Sequence, residues 1–333
     1  MLFSRHILCV TIIFFLADII GANKILAIPG TRNILIKKIP QVDIHIFSEP
    51  SIISDSPNCV IPFTRAGNLI LVKGRADSIE GNFILDTGAP YLVLNLTYFR
   101  NYGTVVPNEE QASIAGIGSP VAKTVLKNFT LGTFHYTRVN ADLTNLGNIE
   151  NSKGVKIIGL LGVALFKQFE MIIDYERGVI YLHRIDKKAN KFYQNEMLRD
   201  TSAYSIVDIA TIDNRIITRT TMAGKKLRLM IDCGAESNLL DSRLPNKIFE
   251  GVNITGRVIL LGSGNEKIEA LAGDMKNMQI GNSKISSLPV VITNLDKTCI
   301  SAESCIDGIL GFDFLSLHKI GFNFVERKMY IWK

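Results

Sequence analysis

Charge is scarce in this chain: 20% of its 333 residues are Asp, Glu, Lys or Arg, against 47% apolar. Low-complexity tracts are missing as well, so wholesale disorder is excluded. The apolar content can fill two cores, and the length suits two domains of ordinary size. A nucleic-acid partner is excluded on similar grounds. The formal net charge of +6 is spread along the sequence, and no stretch interleaves aromatic with basic residues. Short clusters such as Lys187-Lys188 and Lys225-Lys226 read as solvated turns. No pair of cysteines has CxxC spacing and the five histidines are scattered, so no metal site is expected.

Long apolar runs are confined to the beginning. Arg5 and His6 precede an apolar run from Ile7 to Ala17, Asp18 interrupts it, and small residues follow at Gly21 and Ala22. That is the layout of an export signal over residues 1–27, with a cleavage zone near Ala22 or Ala27. A membrane span needs roughly 20 apolar residues. The run reaches that length only if Asp18 is tolerated and a helix continues to Ile28, which would leave an anchor in place of a cleaved signal. The rest of the chain is expected on the periplasmic or extracellular side, where disulfides are permitted. Cys299 and Cys305 enclose the short polar loop of "CISAESC" and form the candidate disulfide, whereas Cys59 and Cys233 have no local partner.

Beyond residue 58 the apolar segments are short, β-branched and separated by Gly, Asn, Asp or Ser. Examples are "NLILVKGRA", "GNFILD", "RIITRTTMAG", "KLRLMID" and "LPVVIT". Strand-length runs between turn signals predict an all-β protein. Only "GVALFKQF" and "GFDFLSLH" offer helix. The polar residues 186–202 interrupt the pattern near the middle and read as a linker.

The halves on either side of that linker repeat one another. "FILDTGAPYLVLN" and "LMIDCGAESNLLD" align Asp86 with Asp232 at an offset of 146, which also superposes Gly116 on Gly262 and Gly118 on Gly264. Further on, "IIGLLGVALF" parallels "IDGILGFDFL" at an offset of 149. Three blocks in one order with nearly constant spacing mark an internal duplication. A lone DTG arises by composition in roughly a tenth of chains this long. Two D-x-G-A loops at matching points of a repeat are far more specific.

These residues resemble the aspartic proteases of the retropepsin and pepsin type. In that family each half supplies an apolar strand, a D-[TS]-G loop, a flap hairpin and an apolar-apolar-Gly segment, matched here by Leu160-Leu161-Gly162 and Ile309-Leu310-Gly311. Glycine pairs stand at the flap position in both halves, so the chain looks like a fused retropepsin dimer. The resemblance implies two β-barrel lobes, residues 59–185 and 203–333, with the active-site cleft between them. Residues 28–58 would precede the first lobe as an extension: an added strand, an arm or a short pro-segment.

What the resemblance implies for chemistry is hydrolysis of peptide or protein substrates by one chain acting as a two-lobed monomer, with no cofactor. Metal-free hydrolysis needs one group to take a proton from water and another to protonate the carbonyl oxygen. Two carboxylates in contact cannot both ionise easily, so Asp86 and Asp232 would share a proton and keep both capacities. Gly88 and Gly234 would let the loops approach the carboxyls, Thr87 would hydrogen-bond across to the opposite loop, and Gly116, Gly118, Gly262 and Gly264 would permit mobile flaps. Three departures stand out. Cys233 replaces a loop Thr or Ser and is a weak donor. Pro90 lacks an N–H. Glu236 is free to meet a substrate backbone or solvent. A non-catalytic protein that holds peptides or other ligands on the same scaffold is the alternative, and it has no need of two aspartates.

Overall fold

Alternation of apolar and polar residues decides the first long strand. In Asn58–Ala66 every second side chain from Cys59 through Ile61 and Phe63 turns inward, as a strand with one wet face requires. The strand ahead of Asp86, Ile79–Leu85, is instead buried throughout its last three residues, as is its counterpart Lys225–Ile231. Tight left-handed turns join neighbouring strands. Asp213 and Asn214, with φ of 46° and 55°, take the geometry that short polar residues tolerate in two-residue hairpins.

The computed structural model of the chain describes residues 49–103, 121–185, 195–261, 267–296 and 305–333. It also describes the backbone of four short strands, Val10–Thr11, Val106–Glu109, Ala112–Ser113 and Gly116–Ile117. The fold is all-β with two lobes. Among the described residues, helix is limited to single turns and one seven-residue segment, Gly147–Lys153. "GVALFKQF" supplies only a 3-10 turn, Val163–Phe166, and "GFDFLSLH" one helical turn, Phe312–Leu315. None of the described helices is long and apolar enough to cross a membrane.

Six antiparallel strands join the lobes in one sheet. Asn58–Ala66 pairs with Val179–Arg184, which pairs with Phe169–Asp174. Phe169–Asp174 then pairs with Ile320–Asn323 of the second half, followed by Lys328–Trp332 and Tyr204–Ile212. The central seam runs from Glu170 opposite Asn323 to Ile173 opposite Ile320. Each half contributes equivalent strands, so the duplication becomes a pseudo-two-fold. Residues from both halves fill one continuous apolar cluster that includes Phe83, Phe166, Phe169, Phe314 and Phe322.

Of the extension, Ser51–Ile53 adds an antiparallel strand to Phe134–Thr144. Val10–Thr11 runs parallel to Leu260–Leu261. In the linker, Asn195 caps a 3-10 turn, Glu196–Leu198, by accepting the N–H of Met197. Leu198 packs with Tyr204 and Tyr330, which ties this segment to the second lobe.

Candidate active site

Each aspartate sits at the end of a buried strand, in a loop clamped on three sides. Ile79–Leu85 leads into Asp86 and Leu92–Asn95 leads away from it; Lys225–Ile231 and Leu239–Asp241 do the same for Asp232. A third strand runs between each pair, parallel to the incoming one and antiparallel to the outgoing one: Gly159–Leu161 in the first half and Gly308–Leu310 in the second. The Asp86 N–H donates to the Leu161 carbonyl at 3.1 Å, and the Asp232 N–H to the Leu310 carbonyl at 3.0 Å. Beneath the first loop lie Leu71, Ile84, Ala89, Val93 and Leu160; beneath the second lie Ile217, Met230, Ala235, Leu239 and Ile309. These are the same repeat positions, so duplicated sequence gives duplicated packing.

The two loops meet face to face. Asp86 and Asp232 are both fully buried. Asp86 Oδ1 accepts the N–H groups of Gly88 at 2.9 Å and Ala89 at 3.0 Å. Asp232 Oδ1 accepts Gly234 N–H at 2.7 Å and, from the other loop, Gly88 N–H at 3.1 Å. A Cβ on Gly88 would stand 2.5 Å from Asp232 Oδ2, and one on Gly234 would stand 2.6 Å from the Asp86 carboxyl carbon. Each glycine therefore lies against the opposite carboxyl group, with no room for a side chain. The remaining oxygens, Oδ2 of both aspartates, are buried and receive no hydrogen bond from any other group among the described residues, while the two carboxyls interact with each other.

Electrostatics follows from this geometry. Burial holds the Asp86 carboxyl well above the usual carboxylate range and the adjacent charge of Asp232 adds to it, against the opposing N–H groups of Ala89 and Gly88. Burial raises Asp232 too, while the N–H of Gly234, the Asp86 carboxyl, the N–H of Gly88 and the charge of Arg215 pull it back. A pair in this environment retains a proton where isolated carboxyls have lost theirs.

The grip between the loops is one-sided. Thr87 Oγ1 donates to the Ile231 carbonyl at 2.9 Å and accepts the Cys233 N–H at 3.0 Å. No return bond runs from the Cys233 thiol to the backbone of the first loop among the described residues. Burial pushes that thiol up to about 12, so it is neutral and unreactive. The buried Tyr175 phenol is likewise raised well above its ordinary value, by burial and by neighbouring Cys233.

Glu236 meets neither solvent nor an open cleft. Its carboxylate takes Lys153 Nζ at 2.5 Å and the Asn68 N–H at 3.0 Å, and its carbonyl takes Asn68 Nδ2 at 3.3 Å. All of these partners come from the first half, so Glu236 is a lobe-to-lobe tether with its side chain 6% exposed. Its repeat counterpart, Pro90, gives a carbonyl to the Ala164 N–H at 3.1 Å. Arg215, which the sequence did not single out, is 1% exposed and its Nε donates to the Gly88 carbonyl at 3.2 Å. The repeat alignment held the clue: its counterpart is Leu69, so a charge occupies an apolar core position.

Of the flap residues, Gly116 lies opposite Ser113 in a two-stranded hairpin. In the second half, Val252–Leu261 and Lys267–Ile280 run antiparallel up to Leu261 opposite Lys267. Gly118, Gly262 and Gly264 lie outside the described residues. Cys305 is disulfide-bonded, Cys59 and Cys233 are free, and Cys299 lies outside the described residues.

Two lobes built on one repeat, each lending an aspartate to a shared buried centre, define a bilobal acid-protease fold. The chain belongs to the aspartyl protease family, which matches twice, over residues 72–165 and 218–314. Among solved structures it is similar to the aspartic proteinase from Irpex lacteus, at 10% identity and a TM-score of 0.48, over 83% of this chain and 97% of that one. No curated protein sequence matches the chain significantly.

Proposed function

We propose that the protein is an aspartic endopeptidase that cleaves extended peptide segments with a water activated by Asp86 and Asp232. The observation that carries this is the pair of facing carboxyls, each packed under the opposite glycine and each with an Oδ2 that no other group among the described residues engages. One carboxylate takes a proton from water while the protonated partner donates to the scissile carbonyl oxygen. The roles exchange as the tetrahedral intermediate collapses and the amine leaves. Burial keeps the shared proton bound toward neutral pH, so cleavage should decline on the alkaline side, where that proton is lost.

The deciding experiment measures turnover of a diverse peptide library by the purified protein from pH 3 to 8, with Asp86→Asn and Asp232→Asn alongside. Each substitution should abolish cleavage and leave the fold intact. The double variant should be scarcely worse than either single one, because the pair acts as a unit. A statine-type transition-state mimic should compete with substrate. Cleavage that survives both substitutions would end this assignment. Tight peptide binding without cleavage would favour a ligand-holding role. Residues 1–27 are proposed as the export signal, which amino-terminal sequencing of the secreted protein would test.

A further inference from the structure

Among the described residues, the largest fully buried side chain is a cation with no ion pair of its own. Arg215 opens the strand Arg215–Met222, just after the Asp213–Asn214 turn, and reaches from the second lobe to the first catalytic loop. Its Nε donates to the Gly88 carbonyl, and Nη1 and Nη2 are buried with no hydrogen-bond partner among the described residues. Buried guanidinium groups are ordinarily paired with a carboxylate, because taking a charge out of water is costly.

The surroundings narrow the search for its counter-charge. Four carboxyls act on it: Asp213, Asp86, Asp232 and Asp142. Asp213 is exposed, so water screens it. Asp142 faces Lys123 at 3.6 Å. Nearby, the Lys153–Glu236 pair compensates itself, and the Cys233 thiol and Tyr175 phenol are neutral. Of the four carboxyls that act on Arg215, the aspartate pair is the buried one left without a cation of its own.

A direct route links the two. Arg215 binds the oxygen of the Gly88–Ala89 peptide, and the N–H of that same peptide donates to Asp86 Oδ1 at 3.0 Å. The guanidinium therefore orients and polarises a donor aimed at the pair. In both loops the alanine N–H donates to the backbone carbonyl of its own aspartate, Ala89 at 3.3 Å and Ala235 at 3.2 Å. Among the described residues only Ala89 also reaches its aspartate's carboxyl, and Leu69 stands where the repeat would place a second Arg215.

We infer that Arg215 is the counter-ion of the aspartate pair, a positioning residue that stabilises its single negative charge through the Gly88–Ala89 peptide. This rests on Asp86 and Asp232 being the catalytic pair. In effect the dyad and the guanidinium form one buried ionic unit spanning both lobes. An Arg fits this position better than a Lys because it keeps its charge while Nε serves the carbonyl.

The test is a carbon-13 NMR titration of the aspartate carboxyls in the full chain, assigned with Asp86→Asn and Asp232→Asn. Removing a nearby positive charge disfavours the ionised pair, so its first ionisation should move up by about one pH unit in Arg215→Met and Arg215→Gln. Arg215→Lys, which keeps the charge, should move it by less than half as much. An unmoved ionisation in a folded, uncharged variant would overturn the inference, as would a lysine variant that shifts as far as the methionine one. A reciprocal measurement needs no change at Arg215. Burial lowers the guanidinium to about 10, and in the double asparagine variant its Cζ titration should move lower still, since linkage between two sites is mutual. An unchanged Cζ titration would likewise overturn it. Both titrations stay readable if the wild-type protein cleaves no peptide, so failure of the protease assignment and failure of this inference are separable.

Discussion

Gly88→Ala probes the catalytic geometry with one methyl group. The backbone at Gly88 is not in the left-handed region, so alanine brings no conformational strain and the effect is steric. Its Cβ would fall 2.5 Å from Asp232 Oδ2, 2.7 Å from the carboxyl carbon and 2.8 Å from Oδ1. Ordinary van der Waals contact begins at 3.4 Å, a shortfall of about 0.9 Å that the carboxyl or the loop must absorb. The loop is held by the Leu161 carbonyl, by Thr87 and by Arg215, so the Asp232 carboxyl is the part that yields. Overpacking of this size costs about 1–3 kcal/mol of stability. A displacement of about 1 Å at a reacting group costs about a hundredfold in rate. The expected outcome is a folded protein whose kcat falls about a hundredfold, with KM for peptide changed much less. Gly103→Ala, at a site with no atom within 4 Å of its new Cβ, is the matched control and should leave both constants unchanged. Calorimetry would show that both variants fold, and single-turnover kinetics would isolate the chemical step. A Gly88→Ala protein with wild-type kcat would refute the close cross-packing of the two loops.

Further substitutions test the asymmetries between the lobes. Cys233→Thr should complete the missing half of the cross-loop grip, raising stability by about 1 kcal/mol in denaturant unfolding and preserving or raising activity. Cys233→Leu should damage both, and a leucine variant with full activity would show that this position does not join the loops. Lys153→Met should cost about 3–5 kcal/mol by leaving Glu236 charged and buried, and adding Glu236→Gln should recover most of that loss. A Lys153→Met protein as stable as wild type would show that this ion pair contributes no net stability between the lobes.

Short-range physics put much of this protein in the sequence itself. Strand-length apolar runs between Gly, Asn and Asp turns dictated an all-β chain, because side-chain alternation is a local property of the backbone. The repeat at constant offset brought two aspartate loops and two copies of the strand that clamps them. Matching sequences pack alike, as Leu71 and Ile217 or Val93 and Leu239 do beneath their loops. The two stretches read as helix are single turns, and the seven-residue helix Gly147–Lys153 lies in neither of them.

The departures from symmetry were decided by tertiary contacts alone. Glu236 looked free to meet substrate or solvent until the fold set Lys153 and Asn68, 83 and 168 residues away in sequence, against its carboxylate. Arg215 stands out in the sequence only against its repeat counterpart Leu69, and the meeting of the lobes is what buries it against Gly88, 127 positions earlier. Thr87 finds Ile231 across 144 residues in the same way. A sequence records which groups a chain carries and which of its parts are alike. Which charge ends up buried beside which carbonyl depends on how the two halves dock, because desolvation and hydrogen-bond geometry act through space between atoms remote along the chain.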